Sequence, residues 1–473
     1  MLTLADIFEA LTGERPEAAS FIISEAAIDS RQVIPATLFV ALPGERTDGH
    51  AYIDEAFKKG AQAALIQRDL SSKYHQIDLR SGVLPKELPN FEEPTCILVN
   101  NSLEALQKIA YFWRRKLNIR VIGITGSVGK STTKELTAEV LSQRYRTLKN
   151  PGNLNNEIGL PLTILRLGPG HERAVLEMGF YVPGEIAFLC DLALPQIGVV
   201  TNIGTVHAER AGSQDEIARG KAELIQALPP APEGTAILNY DDPRVRSMAD
   251  LTAANIFYYG LDPKADLWAD QIESSGLKGI NFRLHFHKET LNIRAPLIGR
   301  HSVHTALRAA STGLIEGLTW QEIINGLQEG LAQLRLVAAH TSSGALILDD
   351  TYNASPESTL AALNLLAELQ GNKIAVLGEM YELGQYEKQG HEMVGVRAAQ
   401  IVTRLIAVGE KAKMIADAAR SAGLSSKAIQ WVPDVPQAID LLQGTLKSND
   451  VALIKGSHGL HMERIVSALE VIS

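Results

Sequence analysis

The stretch VIGITGSVGKSTTKELTAEVL, Val121 to Leu141, decides the architecture. A continuous apolar run, VIGIT, passes through small residues into a segment whose Leu136, Val140 and Leu141 share one helical face, so it reads as a buried strand turning directly into a helix. A helix N-terminus presents unpaired backbone N–H groups and the positive end of the helix dipole, and a glycine-rich turn placed there suits an anion. Gly126, Ser127, Val128, Gly129, Lys130, Ser131 and Thr132 are therefore the candidate phosphate-binding residues. Lys130 would neutralise phosphate charge, and the Ser131 hydroxyl would ligate Mg2+. The general pattern G-x-x-x-x-G-K-[ST] requires a glycine five residues before Gly129, where this chain has Ile124, so the loop is a shortened form.

Composition bounds what surrounds that loop. A chain of 473 residues is too long for one core and predicts roughly two to four domains. With 45% hydrophobic and 21% charged residues the composition is that of a globular protein, which sets disorder aside. Lys and Arg number 45 against 54 Asp and Glu, a net charge of -9, which argues against a broad nucleic-acid footprint and leaves room for local basic pockets. Cys96 and Cys190 are the only cysteines and sit in apolar segments, consistent with a reducing compartment. The opening MLTLADIFEALTGERPEA carries Asp6 and Glu9 where a signal peptide would be basic, and no apolar run reaches membrane-spanning length. A soluble, cytoplasmic protein is the expectation.

Three units follow along the chain. Over residues 1–100, short runs (TLFVAL, AALIQ, CILVN) alternate with helical patterns such as YIDEAFKKGA, which reads as a small α/β domain. Over 101–333, VIGIT, AVLEM, IGVVTNI and TAILNY are the continuous apolar strands of a parallel sheet, so this is a doubly wound domain carrying the phosphate loop. Within it, residues 265–297 change to alternating strands, FRLHFH and TLNIRAPL, which suggest an antiparallel flap or edge sheet, followed by a helical segment over about 302–331. Over 334–473 a third α/β series, LILDD, KIAVLGE, RLIAVGE, IQWV and VALIKGS, reads as a Rossmann-like domain.

Ligands collect at the carboxyl ends of parallel strands, and several candidates stand there. The loop Lys149 to Gly159 is dense in amides and glycine and holds Asn155, Asn156 and Glu157, which is either a donor-rich ligand loop or an ordinary turn. Glu177 in VLEMG and His207 in TNIGTVH end apolar strands, where they could ligate a metal or simply be hydrogen-bonded. Lys221 shares a helical face with Ile217, Leu224, Ile225 and Leu228. Such a lysine either snorkels to solvent or is held neutral by burial, and a neutral amine can react with CO2 to give a metal-binding carbamate.

Taken together and in this order, TGSVGKST, GNLNNEIG, LEMG, TNIGTVHAERAGS, ARGKAEL, GRHSVHTAL and LILDDTYNASPES resemble the Mur ligase family of bacterial cell-wall enzymes, whose phosphate loop has the same shortened form. The segments GNLNNEIG and Asp349 to Pro356 resemble the member that adds D-alanyl-D-alanine. The resemblance implies a monomeric ATP-dependent ligase of peptidoglycan precursor synthesis, with UDP-N-acetylmuramoyl-tripeptide and D-alanyl-D-alanine as substrates and no nucleic-acid or membrane partner. It further implies two Mg2+ ions, one near Ser131 and Glu177, the other near His207 and a carbamylated Lys221. Lys130, Glu157, His207 and Lys221 would be catalytic, with Glu157 and Asn155 at the junction of metal and substrate. Arg300 and Asp350 would hold ATP, and Asn155, Asn156, Tyr352 and Asn353 would hold substrate. In the first domain, Asp29-Ser30-Arg31 and Gly44 to His50 resemble the family's UDP-sugar segments, which nominates Ser30, Arg31, Thr47 and Asp48.

Two segments depart from the family pattern. His301-Ser302-Val303-His304-Thr305 replaces a common His-Asn-x-x-Asn, and His458 stands where arginine is frequent. Another Mur ligase step, a folylpolyglutamate synthetase-like ligase, and a nucleotide-dependent muramyl-peptide regulator are the alternatives. The segment Asp349-Asp350-Thr351-Tyr352-Asn353 argues against the first two. The full set Lys130, Glu157, Glu177, His207 and Lys221 argues against the third.

Overall fold

The computed structural model describes every residue except 45–46, 89–90, 92, 330–336 and 470–473. The strand-loop-helix element lies in a nine-stranded sheet, its strand third from one edge. Arg120–Thr125 runs between Ile197–Val200 and Arg173–Glu177, parallel to both, and the helix Lys130–Ser142 follows the glycine turn. Beyond Arg173–Glu177 lies the edge strand Thr147–Lys149; on the other side come Thr235–Asn239 and Asn255–Gly260. Every inward side chain of Ile197–Val200 and Thr235–Asn239 is buried, as expected for a sheet covered on both faces.

The alternating strands expected over 265–297 extend this same sheet. Leu267–Ser274 joins Asn255–Gly260 in parallel, and Ile280–Phe286 and Glu289–Ala295 then add antiparallel. Their alternation has a direct cause: Ile280, Phe282 and Leu284 enter the core, while Arg283 and His285 turn outward onto Asp270 at 2.7–3.0 Å. The helical segment expected over about 302–331 is two helices, Val303–Ile315 and Trp320–Glu329. Gly317, at φ +76°, breaks the run. Two helices can then cross the phosphate-loop helix separately, and Gly326 packs so closely that a Cβ there would lie 2.5 Å from Val140 Cα.

The first sheet has the order Ala26–Ala27, Leu38–Val40, Ala63–Ile66, Thr95–Leu98, His75–Asp78, all parallel. The helix Ser102–Arg115 joins it to the central sheet, and one apolar core runs through it from Phe8 and Ile97 by Ile109 to Leu160 and Leu176. Buried Arg114 completes the seam by donating to the carbonyls of Ala193 at 2.6 Å and Ile119 at 2.9 Å. The third sheet has the order Val337–His340, Leu346–Asp350, Asp450–Lys455, Asn372–Gly378, Arg404–Val408, Ile429–Val432. Its first pairing is antiparallel and the rest are parallel; the strand Val337–His340 had no counterpart in the sequence reading. The expected boundary at 333/334 lies outside the described residues.

Glu316, which caps Val303–Ile315, fastens the central sheet from below. Its carboxylate pairs with Arg120 at 2.5 Å and with Arg173, the neighbours that open two adjacent strands. The carboxylate is 2% exposed, whereas the arginines are 32% and 18% exposed. Glu316→Ala should therefore cost about 2–3 kcal/mol, less than a fully enclosed ion pair. The check is the denaturant midpoint of the variant, with Glu316→Gln, which keeps an acceptor, falling in between.

Candidate active site

The phosphate loop is held by the end of the neighbouring strand. Gly126 adopts φ +143° and passes so close to Thr201 that a Cβ would fall 1.8 Å from its Oγ1. The Val128 carbonyl accepts from Thr201 Oγ1 at 2.7 Å and Asn202 Nδ2 at 3.0 Å, while the Val128 N–H donates back to Asn202 Oδ1 at 3.0 Å. Ser127 Oγ accepts from the Gly204 N–H at 2.8 Å. Gly129, at φ +84°, then starts the helix with no side-chain cap, so the first-turn N–H groups face outward for an anion. Lys130 folds over the loop, its Nζ 2.9 Å from the Gly126 carbonyl.

A second layer orients Glu177. Asn155 Nδ2 donates to Glu177 Oε1 at 2.8 Å, and Asn150 exchanges hydrogen bonds with the Glu177 backbone at 2.9 and 3.2 Å. Lys134, one turn along the phosphate-loop helix and fully buried, donates to the carbonyls of Asn150 at 2.8 Å and Gly152 at 3.0 Å. This ties the amide-rich loop to the phosphate loop. Glu177 Oε2 is buried with no hydrogen-bond partner among the described residues, and the Lys134 amine is 4.0 Å away.

His207, at φ +70°, sets its Nδ1 2.5 Å from Glu382 Oε2 of the third domain, with the Tyr181 ring edge-on at 4.9 Å. Burial holds its imidazole below the ordinary value in spite of Glu382. In the neutral ring Nδ1–H donates to the carboxylate and Nε2 keeps its lone pair, the form that ligates metal. Lys221 is wholly buried; its Nζ has no partner among the described residues and lies 4.6 Å from the Phe180 ring centre. Burial first, and repulsion from Lys130 second, press the amine well below its ordinary pKa. The snorkelling alternative does not apply.

A cleft of about 330 Å3 collects these groups. Residues Ser127 to Thr132, Asn155, Glu177 and His207 line it from the central domain, and Asp350, Tyr352 and Asn353 from the third. Asp350 pairs at 2.7 Å with buried Lys455, which also holds the Asn353 carbonyl at 2.8 Å. Phe180 lines the cleft, and Lys221, which does not, sets its amine against the Phe180 ring.

Other candidates lie elsewhere. Glu157 and Asn156 line a neighbouring cavity of about 240 Å3, and the Asn156 side chain accepts from the Gly159 N–H at 2.9 Å at the start of a helix. Arg300 lines a separate cavity of about 480 Å3 at the seam with the third domain. Ser30 donates to Glu55 at 2.9 Å, Arg31 pairs with Asp29 at 2.7 Å, Asp48 pairs with His50 at 2.6 Å, and Thr47 is exposed. None of these four lines the cleft, and the intervening Glu45 and Arg46 are outside the described residues.

The donor set fits Mg2+ in a particular way. Among the described residues no three His, Cys, Asp or Glu side chains converge as a self-sufficient metal site. What the cleft brings together is incomplete: a hydroxyl at Ser131, a carboxylate with one orphaned oxygen at Glu177 and an imidazole lone pair at His207, while the partnerless amine of Lys221 lies outside its lining, against Phe180. Phosphate oxygens and a carbamate would supply the missing ligands.

Comparison with known proteins bears on this cleft directly. Family models described as Mur ligase family catalytic domain, Mur ligase middle domain, and Mur ligase glutamate ligase domain match residues 23–114, 124–313 and 334–458. A Synechocystis protein named UDP-N-acetylmuramoyl-tripeptide--D-alanyl-D-alanine ligase is 35% identical over 94% of this chain and 92% of its own length. This chain belongs to the Mur ligase family. The solved MurF from Acinetobacter baumannii superimposes with a TM-score of 0.82 at 28% identity, covering 99% of this chain and 98% of that one. The MurF ligase from Thermotoga maritima in complex with ADP gives 0.75 at 28%, covering 94% and 96%.

Sequence reasoning about this Mur ligase missed Lys134, Asn150, Asn202 and Glu382. Asn202 lies inside the quoted TNIGTVH, yet nothing local says which side chain turns to the loop. Glu382 is 175 residues from its partner His207, and no spacing rule spans that distance.

The buried amine predicts a pH dependence. An unfolded chain protonates Lys221 below its ordinary pKa of 10.5, whereas the folded protein resists. The unfolded state then binds more protons, so stability falls as pH drops from 10.5 toward the lower folded value, by about 1.4 kcal/mol per pH unit. In CO2-free buffer Lys221→Met should be more stable than the parent at pH 7, and the difference should shrink toward pH 10. Urea unfolding at both pH values measures it, and an unchanging difference would mean a protonated amine in the folded state.

Proposed function

We propose that this chain is an ATP-dependent amide ligase that joins D-alanyl-D-alanine to the terminal carboxylate of UDP-N-acetylmuramoyl-tripeptide, releasing ADP and phosphate in peptidoglycan precursor synthesis. The observation that carries the reading is the composition of one cleft: the phosphate loop and Glu177 of the central domain face Asp350, Tyr352 and Asn353 of the third. Relatives bearing that enzyme's name support it over nearly the whole chain.

The chemistry follows from the substrate. A carboxylate is a poor acyl electrophile because oxide is a prohibitive leaving group. Moving the γ-phosphoryl group of ATP onto it gives an acyl phosphate and ADP; the dipeptide amine then attacks the carbonyl carbon, the C–O bond to phosphate breaks, and the amine proton is released. Phosphoryl transfer of this kind depends on positioning and charge neutralisation. The first-turn amides and Lys130 take that part for the β- and γ-phosphates, with Asp350 and Arg300 toward the nucleoside. Ser131 and Glu177 are the residues to hold one Mg2+, and His207 with Lys221 to hold a second. Bound there, Mg2+ would offset the charge shared by the phosphoryl group and the acceptor carboxylate. Lys221 adds CO2 as its neutral amine, forming an N–C bond and losing a proton, which turns a cation into a ligand. Ser30, Arg31, Thr47 and Asp48 would bind the UDP moiety on residues 1–100, residues 101–333 would bind ATP, and Tyr352 and Asn353 on residues 334–473 would bind the dipeptide.

Phosphate release with ATP and UDP-N-acetylmuramoyl-tripeptide, with and without D-alanyl-D-alanine, tests the reading. Release should require the dipeptide and should fall sharply with single D-alanine or L-glutamate; glutamate-dependent turnover on folate would overturn it. Lys130→Ala should lower turnover at least about a hundredfold while changing UDP-substrate binding only a few-fold.

The carbamate has its own test. Lys221→Ala should be crippled and partly restored by high formate or acetate, whereas Lys221→Arg should fail in both conditions because it retains positive charge. Substantial activity in Lys221→Arg would exclude the carbamate.

A further inference from the structure

The cavity beside the cleft has no part in the chemistry above. We propose that it receives the side chain of the third peptide residue, that Glu157 pairs with an amine at the end of that side chain, and that the protein thereby prefers a lysine-type third residue over a diaminopimelate-type one. This rests on the function proposed for the cleft, in which the third residue presents the carboxylate to be activated. Its side chain leaves from the carbon next to that carboxylate, so within a few bonds it needs a space opening off the cleft.

The cavity of about 240 Å3 is such a space, because Gly179 and Tyr181 are walls of both. Pro183, Phe188 and Leu189 give it an apolar side suited to methylene groups. Glu157 is exposed on its lining, and its carboxylate has no hydrogen bond or ion pair among the described residues. A flexible chain of methylenes ending in an ammonium matches that pair of surfaces, one apolar and one anionic.

A diaminopimelate side chain ends in a carboxylate as well as an amine, and the backbone donors of Tyr181, Val182, Gly184 and Ala187 are already engaged, which leaves the neutral side-chain amide of Asn156 on the lining. The N–H groups of Tyr181 and Val182 donate to Glu185 at 2.6 and 3.1 Å, and those of Gly184 and Ala187 donate to Glu223 at 2.6 and 2.9 Å. No Lys, Arg or His is among the described lining residues. Arg210, 4.8 Å from the Tyr181 ring, lies 3.7 Å from Glu382 across the domain seam and is not part of the lining. Beyond the ammonium on its own carbon, a second carboxylate would therefore meet Glu157 and Glu185 with no positive side chain on the described lining to offset them.

The experiment compares three UDP-N-acetylmuramoyl-tripeptides, with lysine, meso-diaminopimelate or norleucine in third place, in dipeptide-dependent phosphate release by the full chain. The lysine form should exceed both others in kcat/KM by about two- to fivefold, the size of an exposed ion pair. In Glu157→Gln the ratio of lysine to norleucine forms should fall to about one. In Phe188→Ala the KM should rise for both forms alike, which reports on the methylene contacts independently of charge. Equal or better use of the meso-diaminopimelate form, or an unchanged lysine-to-norleucine ratio in Glu157→Gln, would overturn the assignment while leaving the ligase function in place. Absence of dipeptide-dependent release with all three peptides would remove the ligase reading itself, and this assignment with it.

Discussion

The carbonyl of Val128 is the point on which the rest of the site depends. A loop that offers its amides to an anion must keep its carbonyls away from the anion, and here one side chain and one amide from the next strand, Thr201 and Asn202, take that carbonyl inward. The cost is steric: Gly126 must approach Thr201 within a distance that no β-carbon tolerates. Once the loop is fixed, its helix is fixed, and Lys134 on that helix fixes the amide-rich loop that orients Glu177 through Asn155. One hydrogen-bonded turn thus sets the position of groups contributed by four separate segments.

The same economy operates between domains. The segment 204–214 of the central domain is gripped by the third: Thr205 N–H donates to Glu357 at 3.2 Å, Glu209 N–H to the Glu382 carbonyl at 3.2 Å, and Gln385 to the Gly212 carbonyl at 3.2 Å. His207 lies in the middle of that grip, so its orientation depends on the two domains being together. A site assembled in this way couples docking of the third domain to completion of the chemistry, the usual purpose of domain closure in ligases and kinases.

Much of this was legible in advance. The strands of the parallel sheets could be read because burial on both faces leaves uninterrupted apolar runs, and the phosphate loop because glycine, lysine and a hydroxyl at a strand-helix junction have few other uses. Illegible features have definite causes. Gly317 within a helical pattern reads as tolerable or as a break, and only the crossing of two helices over Val140 chooses the break. Val337–His340 is short and pairs with one neighbour, too little for a periodic signal. Glu157 stood in the same motif as Asn155, yet the turn at Asn156 sends the two into different cavities.

What the sequence determined by itself is therefore local: which runs are strands, where the chain turns into a helix, which residue types stand at the strand ends. These properties are set by backbone hydrogen bonding and side-chain periodicity over a few residues, and they survive in the bare string. What only the tertiary structure decided is environment. Lys221 is a lysine on an apolar stripe in either account, but whether its amine reaches water depends on Phe180 and everything packed around it. His207 acquires its partner only because a strand end and a loop 175 residues away are pressed together. Desolvation and long-range pairing are sums over neighbours brought by the whole fold, and no short stretch of sequence contains them.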